Sequence, residues 1–146
     1  MPESRSVSRT RVVDAPPGAV FDLLADPRKH PLLDGSGSVK ATLTGPERLE
    51  LGSRFGMRMH LLAPYVISNE VVEYEPDALI AWQHFGRHRW RYRLVPVDGG
   101  RRTEVTETFD WSTSRAPWFI EMMGYPERNA ASMEATLERL AGLVAP

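Results

Sequence analysis

The chain has 146 residues, of which 42% are hydrophobic and 25% are charged, as is typical of one soluble globular domain. A formal net charge of −1 argues against recruitment of nucleic acid by an overall basic field. The absence of cysteine excludes disulfides, thiol nucleophiles and cysteine-ligated metal. We find no apolar signal core at the N-terminus and no run long enough to span a membrane. We therefore expect a single cytoplasmic domain over residues 1–146, with no membrane partner.

The N-terminal part of the sequence predicts a strand followed by one or two short helices. The strand covers residues 7–13, and a turn with two prolines leads into a helix with apolar Val20, Phe21, Leu23 and Leu24. This helix ends before Asp26-Pro27. A second helical turn is predicted over residues 28–33, weakened by Pro31, and residues 34–37 (DGSG) predict a turn.

Six short strands and a long helix are predicted for the rest of the chain. Turn residues separate strands over residues 39–44, 53–61, 66–74, 79–85, 89–97 and 103–111. After a shorter helical segment over residues 116–124, a long helix begins near Pro126. Its apolar stripe is Ala130, Met133, Leu137, Leu140 and Val144. An α+β fold follows, in which this helix covers the apolar face of an antiparallel sheet.

The stretch from His88 to Trp111 interleaves aromatic and arginine residues, which raises the possibility of a nucleic-acid surface. The turn at Asp98-Gly99-Gly100 instead predicts a hairpin, and loops of two or four residues give the same partners. The predicted partners on one face are Leu94 with Val105, Tyr92 with Glu107, Trp90 with Phe109, and His88 with Trp111.

The opposite face of this hairpin carries arginine, threonine and carboxylate side chains. Arg89, Arg91 and Arg93 lie there, and we expect them to be exposed and structurally minor. Binding of nucleic acid would require rings and cations on the same face. The sequence therefore predicts no nucleic-acid partner.

Glu107 is the one carboxylate on the aromatic face of the hairpin, opposite Tyr92. A buried carboxylate needs a partner or a raised pKa. Three interpretations stay open: a structural Glu107 bonded to the Tyr92 hydroxyl or to helix donors, a polar anchor in a ligand cavity, or a register slip that exposes Glu107.

Five segments resemble the START/SRPBCC superfamily, most closely its bacterial members labelled polyketide cyclase/dehydrase: VDAPPGAVFDLLADPRKHPLLDGSGSV, VVEYEPDALIAWQH, RWRYRL, RTEVTETFDW and ERNAASMEATLERLAGL. The resemblance covers about residues 6–143, and its motifs are structural rather than catalytic. It implies a helix-grip fold, in which a curved seven-stranded antiparallel sheet wraps around the long C-terminal helix. It also implies a cavity for a hydrophobic small molecule.

The candidate ligand-binding residues are large apolar side chains with a few polar ones among them. They are Met57, Met59, Trp82, His84, Trp90, Tyr92, Glu107, Phe109, Trp111, Trp118 and Met122. Taken singly, each of the large ones suits a solid core better, whereas the four tryptophans concentrated between Trp82 and Trp118 together favour a lined cavity.

Trp82 and His84 share the face of Trp90 only if the Gly86-Arg87 connection has an odd length or a bulge. We favour this arrangement, with Trp82 opposite Val71 and His84 opposite Asn69 across a Pro76-Asp77 hairpin.

The four histidines have no chelating spacing, so we predict neither a metal site nor a cofactor. The best-supported function is the binding of a hydrophobic small molecule that is polyketide-, lipid- or aromatic-like. The alternative is a polyketide cyclase, aromatase or dehydratase that uses Glu107 and Tyr92 as its acid/base group, with His84 as a substitute. A third interpretation is a partner-binding role, as in chaperone-cofactor relatives of the fold. The oligomeric state stays open.

Overall fold

The computed structural model describes residues 5–37, 39–60 and 62–145, without the side chain of residue 43. Its strands are β1 (Ser6–Val13), β2 (Val39–Thr44), β3 (Arg54–His60), β4 (Pro64–Glu75), β5 (Leu79–Gln83), β6 (Arg89–Val97) and β7 (Arg102–Asp110). Its helices are α1 (Pro17–Leu24), α2 (His30–Leu33), α3 (Pro117–Met122) and α4 (Tyr125–Val144). A 3₁₀ turn, Pro27–Lys29, replaces the first half of the predicted second helix. The predicted end of β3 at Leu61 lies outside the described residues.

All seven strands form one antiparallel sheet in the order β1-β7-β6-β5-β4-β3-β2, so β1 and β2 are its edges. Helix α4 packs against β1 and β7, and α1, α2 and α3 all contact α4. This confirms the predicted α+β helix-grip fold. None of the described helices is both long and apolar enough to cross a membrane.

The predicted stripe of α4 is the face that meets the sheet. Ala130, Met133, Leu137 and Leu140 are buried, and Val144 packs against the same core while partly exposed. Because these side chains recur every three or four residues, they lie on one side of the helix. We call the sheet face that they cover the inner face.

The β6–β7 hairpin has the register that its turn predicts. Leu94 pairs with Val105, Tyr92 with Glu107 and Trp90 with Phe109, down to a last pair of Arg89 with Asp110. Since Val97 pairs with Arg102, the longer of the two possible loops is the one that forms. The ladder ends before the predicted pair of His88 with Trp111.

The β4–β5 hairpin reaches the predicted pair of Val71 with Trp82 by a different route. Glu75 pairs with Leu79, so the turn is one residue longer than predicted, and a bulge at Val72 then restores the expected register. Because β5 ends at Gln83, the predicted pairing of His84 with Asn69 does not form.

The expectation that the three arginines of β6 are all exposed is wrong for two of them. Glu73 on β4 binds Arg91 through both carboxylate oxygens (2.9 and 2.7 Å) and Arg89 at 2.8 Å. Arg91 also donates to Asp110, 3.2 Å away, and its side chain is only 20% exposed. These groups form a partly buried ion-pair network on the outer face, whereas Arg93 is exposed.

Candidate ligand-binding site

Burial of the inner face decreases towards one end of its strands. Ile80 and Val105 are fully buried, whereas Met59, Ile67 and Trp90 are half-buried and pack against the core. These three come from the end of β3, the beginning of β4 and the beginning of β6, which antiparallel pairing brings to the same end of the sheet. The interior is therefore least covered at this end of the strands, which we call the open end.

Aromatic rings line the inner face between the open end and the core. Trp82 lies parallel to the His30 ring at 4.6 Å and contacts Phe55 and Tyr92 with ring centroids 5.7 and 5.6 Å apart. Trp82 pairs with Trp90, so the five-residue connection between β5 and β6 places both on one face, as predicted.

A second group of rings continues along β7. Trp90 contacts Phe109 at 4.9 Å, and Phe109 stacks on Trp111 at 5.5 Å. Ile120 of α3 and Met133 of α4 cover this group. Because Trp90 packs against both groups, it joins them into one continuous apolar lining.

Glu107 lies within this lining with its carboxyl group bonded on one side only. The Tyr92 hydroxyl donates to Glu107 Oε2 at 2.7 Å, and the two residues are only 3% and 2% exposed. Glu107 Oε1 is buried and has no hydrogen-bond partner among the described residues. Of the interpretations based on the sequence, this geometry excludes the register slip.

Burial raises the pKa of Glu107 to about 8, although the hydrogen bond from Tyr92 acts in the opposite direction. The negative charge of Asp34 adds to the increase. Burial and the neighbouring Glu107 also raise the pKa of Tyr92 well above its ordinary value. At neutral pH both groups are therefore uncharged.

Arg9 on β1 lies directly opposite Glu107 in the ladder but does not neutralise it. The Arg9 guanidinium turns to α4, where Nε lies 3.3 Å from Glu134 Oε1, and its Nη1 donates to the Ser8 carbonyl at 2.8 Å. Arg9 therefore pairs with α4 and not with Glu107.

The loop after α2 brings Asp34 close to this pair. Gly35 N donates to Thr136 Oγ1 at 2.8 Å, and Arg139 Nη1 donates to the Asp34 carbonyl at 2.6 Å. A Cβ atom added to Gly35 would lie 2.5 Å from Thr136 N, so only glycine permits such close contact with α4. The predicted turn at DGSG is therefore anchored to α4 through Gly35.

The structure brings most of the candidate residues to the interior. Met57, Trp82, Tyr92, Glu107, Phe109 and Trp111 are buried, Met59 and Trp90 are half-buried, and His84 lies half-buried in the β5–β6 loop. Trp118 and Met122 are 63% and 68% exposed on the surface of α3, so they are not part of the interior. A role of these residues in ligand binding stays a prediction.

Sequence reasoning missed His30 as a member of the aromatic lining. Its ring is buried, and its Nε2 lies 2.8 Å from the Leu24 carbonyl, which accepts the hydrogen bond. Burial lowers the pKa of His30 to about 4 and, together with His84, that of His88 to about 4. No spacing in the sequence points to His30, because the neighbouring Pro31 obscures the helix that carries it.

Two grooves, of about 440 and 340 Å³, lie along edge strand β1 and α4, and Trp111 of the second ring group lines the first of them. Arg9 and Glu134 line both, and neither is lined by Tyr92 or Glu107. Among the described residues, no three acidic or histidine side chains are arranged to hold a metal ion.

Residues 4–145 match the model of the family described as polyketide cyclase/dehydrase and lipid transport. An uncharacterized protein of Mycobacterium tuberculosis, Rv0088, is 41% identical over 140 residues, which are 92% of this chain and 62% of that protein. The chain therefore spans less than two thirds of the length of this curated relative.

Solved structures share the fold at low sequence identity. A protein from Rhodobacter sphaeroides has a TM-score of 0.72 and 19% identity, covering 98% of this chain and 94% of its own. Protein Ms6760 from Mycobacterium smegmatis has a TM-score of 0.69 and 17% identity, covering 96% of this chain and 90% of its own. The superfamily resemblance predicted from the sequence is thereby confirmed.

Proposed function

Because this chain belongs to the polyketide cyclase/dehydrase and lipid transport family, we propose that it binds a hydrophobic small molecule between the inner face and α4. The observation that carries the proposal is the loss of burial at the open end, where Met59, Ile67 and Trp90 lead to the buried rings. Large apolar side chains that stay half-covered next to buried rings suit the entrance of an apolar ligand site.

The lining suits a flat apolar ligand. Trp82, Trp90 and Phe109 offer ring faces and edges for stacking, and such contacts add to the free energy of simple burial. Met57 and Met59 lie on the same strand face, and their flexible side chains adapt to different ligand shapes. A ligand would reach Tyr92 and Glu107 after Trp90 and Met59 move aside, because Tyr92 and Glu107 are covered in the structure.

Titration with Nile red, an uncharged apolar dye, tests the proposal. We expect an increase in dye emission with a Kd of about 1–10 μM, since burial of a molecule of this size supplies such an affinity. Trp90→Ala should weaken binding at least about fivefold through lost ring contact. Val95→Ala is the matched control, because Val95 is exposed on the opposite face of the same strand. Equal affinities of the two variants, or no binding by the parent, would contradict the site.

A second candidate function is acid/base catalysis in the same site. The pKa of Glu107, raised to about 8, lies near physiological pH, where a group both accepts and returns a proton efficiently. In an aldol cyclisation with dehydration, the ionised form of Glu107 would remove a proton from the carbon beside a ketone. The resulting carbanion would attack a second ketone, and Glu107 would return the proton to the oxygen formed there. Loss of that hydroxyl as water, with Glu107 taking a second proton from the same carbon and returning it to the leaving oxygen, would complete the dehydration. Tyr92 would donate a hydrogen bond to the oxygen that becomes negatively charged.

Glu107→Gln separates the two functions, because it keeps the shape of the side chain and removes the titrating proton. With a poly-β-ketone substrate, an enzyme should lose turnover in this variant while dye binding is retained. Turnover by Glu107→Gln equal to that of the parent would exclude Glu107 as the acid/base group. Absence of turnover in the parent with every poly-β-ketone tried would leave binding as the supported function.

A further inference from the structure

We propose that Glu107 selects neutral ligands that carry a hydrogen-bond acceptor, such as aryl ketones, and discriminates against carboxylates on the same carbon skeleton. This inference rests on the proposed ligand site. It adds a chemical class and a specificity-determining atom, Glu107 Oε1.

The hydrogen bond with Tyr92 determines which oxygen of Glu107 carries the proton. The Tyr92 hydroxyl donates to Oε2, so Oε2 acts as an acceptor. In the uncharged acid the proton therefore resides on Oε1, the oxygen without a partner among the described residues. A buried donor without an acceptor is destabilising, and a ligand carbonyl that supplied the acceptor would recover the lost free energy.

The charges around Glu107 disfavour an anionic ligand. Asp34, before β2, contributes negative potential at both Glu107 and Tyr92. Arg9 on β1 is the cation opposite Glu107, but it is paired with Glu134 on α4. On β7 itself, the inner-face neighbours Val105 and Phe109 carry no charge. A carboxylate placed here would meet negative potential without an available cation.

The histidines of the lining do not supply positive charge at neutral pH. Burial lowers the pKa of His30 and of His88 to about 4, and it also lowers the pKa of His84. These histidines are therefore uncharged, and the acid proton of Glu107 is a donor that a ligand acceptor would meet.

Three naphthalenes of nearly equal size test the inference by calorimetry at pH 7: 2-acetylnaphthalene, 2-ethylnaphthalene and 2-naphthoate. We expect the ketone to bind about fivefold more tightly than the hydrocarbon, as one hydrogen bond contributes. The carboxylate should bind more weakly than both. Above pH 8 the ratio of ketone to hydrocarbon affinity should fall from about five towards about one as Glu107 ionises, because the carboxylate has no proton to donate.

Two variants distinguish the hydrogen-bond donor of Glu107 from the shape of its side chain. Glu107→Gln keeps an N–H donor, so the preference for the ketone should persist and no longer change above pH 8. Glu107→Leu removes the donor, so the ketone and the hydrocarbon should bind equally. Circular dichroism of both variants verifies folding, and Glu107→Gln keeps the test valid if Glu107→Leu fails to fold.

The outcomes distinguish the inference from the proposed function. Equal binding of the ketone and the hydrocarbon by the parent, or tightest binding of 2-naphthoate, would overturn the inference and leave the binding site intact. Failure of all three compounds to bind up to their solubility limits would overturn the inference together with the proposed site.

Discussion

Replacing Glu107 by glutamine should flatten the dependence of stability on pH. Burial raises the pKa of Glu107 from 4.5 to about 8, so between these values the folded protein holds a proton that the unfolded chain has lost. The stabilisation is fully present below pH 4.5 and is lost as the pH rises to about 8. At about 1.36 kcal/mol per pH unit, the free energy of unfolding decreases by about 5 kcal/mol over this interval.

Two buried histidines act in the opposite direction at lower pH. Burial lowers the pKa of His30 and of His88 from 6.5 to about 4, so their contribution is present above pH 6.5 and lost as the pH falls to about 4. Between pH 6.5 and 8 the folded histidines stay neutral, while their unfolded forms lose the remaining half of their protons, which adds a small stabilisation that the parent and a Glu107 variant share. The protonation of Glu107 changes only in the parent, so in this window we expect the parent to lose about 2 kcal/mol relative to Glu107→Gln.

Urea unfolding at pH 6.5 and 8 measures the effect. The stability of the parent should fall by about 2 kcal/mol relative to that of Glu107→Gln, because the amide has no proton to lose and the histidines are common to both proteins. Glu104→Gln is the matched control, since Glu104 lies on the outer face of the same strand, and it should follow the parent. A difference in stability between the parent and Glu107→Gln that is the same at both pH values would refute the reasoning.

Three further predictions concern the fold. Leu137→Asp places an unpaired charge against the core and should cost about 3–5 kcal/mol; a melting temperature within about 2 °C of the parent would show that this stripe does not face the sheet. Gly35→Ala should lose about 1–3 kcal/mol in chemical denaturation, because its Cβ would collide with the α4 backbone. Gly142→Ala, where the added atom meets nothing within 4 Å, should be neutral or stabilising. A similar loss in both variants would contradict the close contact of Gly35 with α4. Arg91→Gln should cost about 1–2 kcal/mol and Arg93→Gln less than about 0.5 kcal/mol, and equal losses in thermal unfolding would show that the ion-pair network adds nothing.

Local chemistry made the β6–β7 hairpin and the stripe of α4 predictable. In a strand, alternate side chains share a face, so one turn determines every pair from Leu94–Val105 to Trp90–Phe109. The β4–β5 hairpin was less predictable. Its longer turn and its bulge each shift the register by one residue, and the pair of Val71 with Trp82 is preserved because the two shifts cancel.

The sequence by itself determined which residues share a face, including the position of Glu107 among the aromatic rings beside Tyr92. The tertiary structure alone decided what meets each face. It pairs Arg91 with Glu73 across β5, turns Arg9 away from Glu107 towards α4, and leaves Trp118 in solvent. The physical reason is that alternation is a property of a single strand. Burial, and with it the raised pKa of Glu107, depends on how closely distant segments pack, as the contact of Gly35 with α4 illustrates.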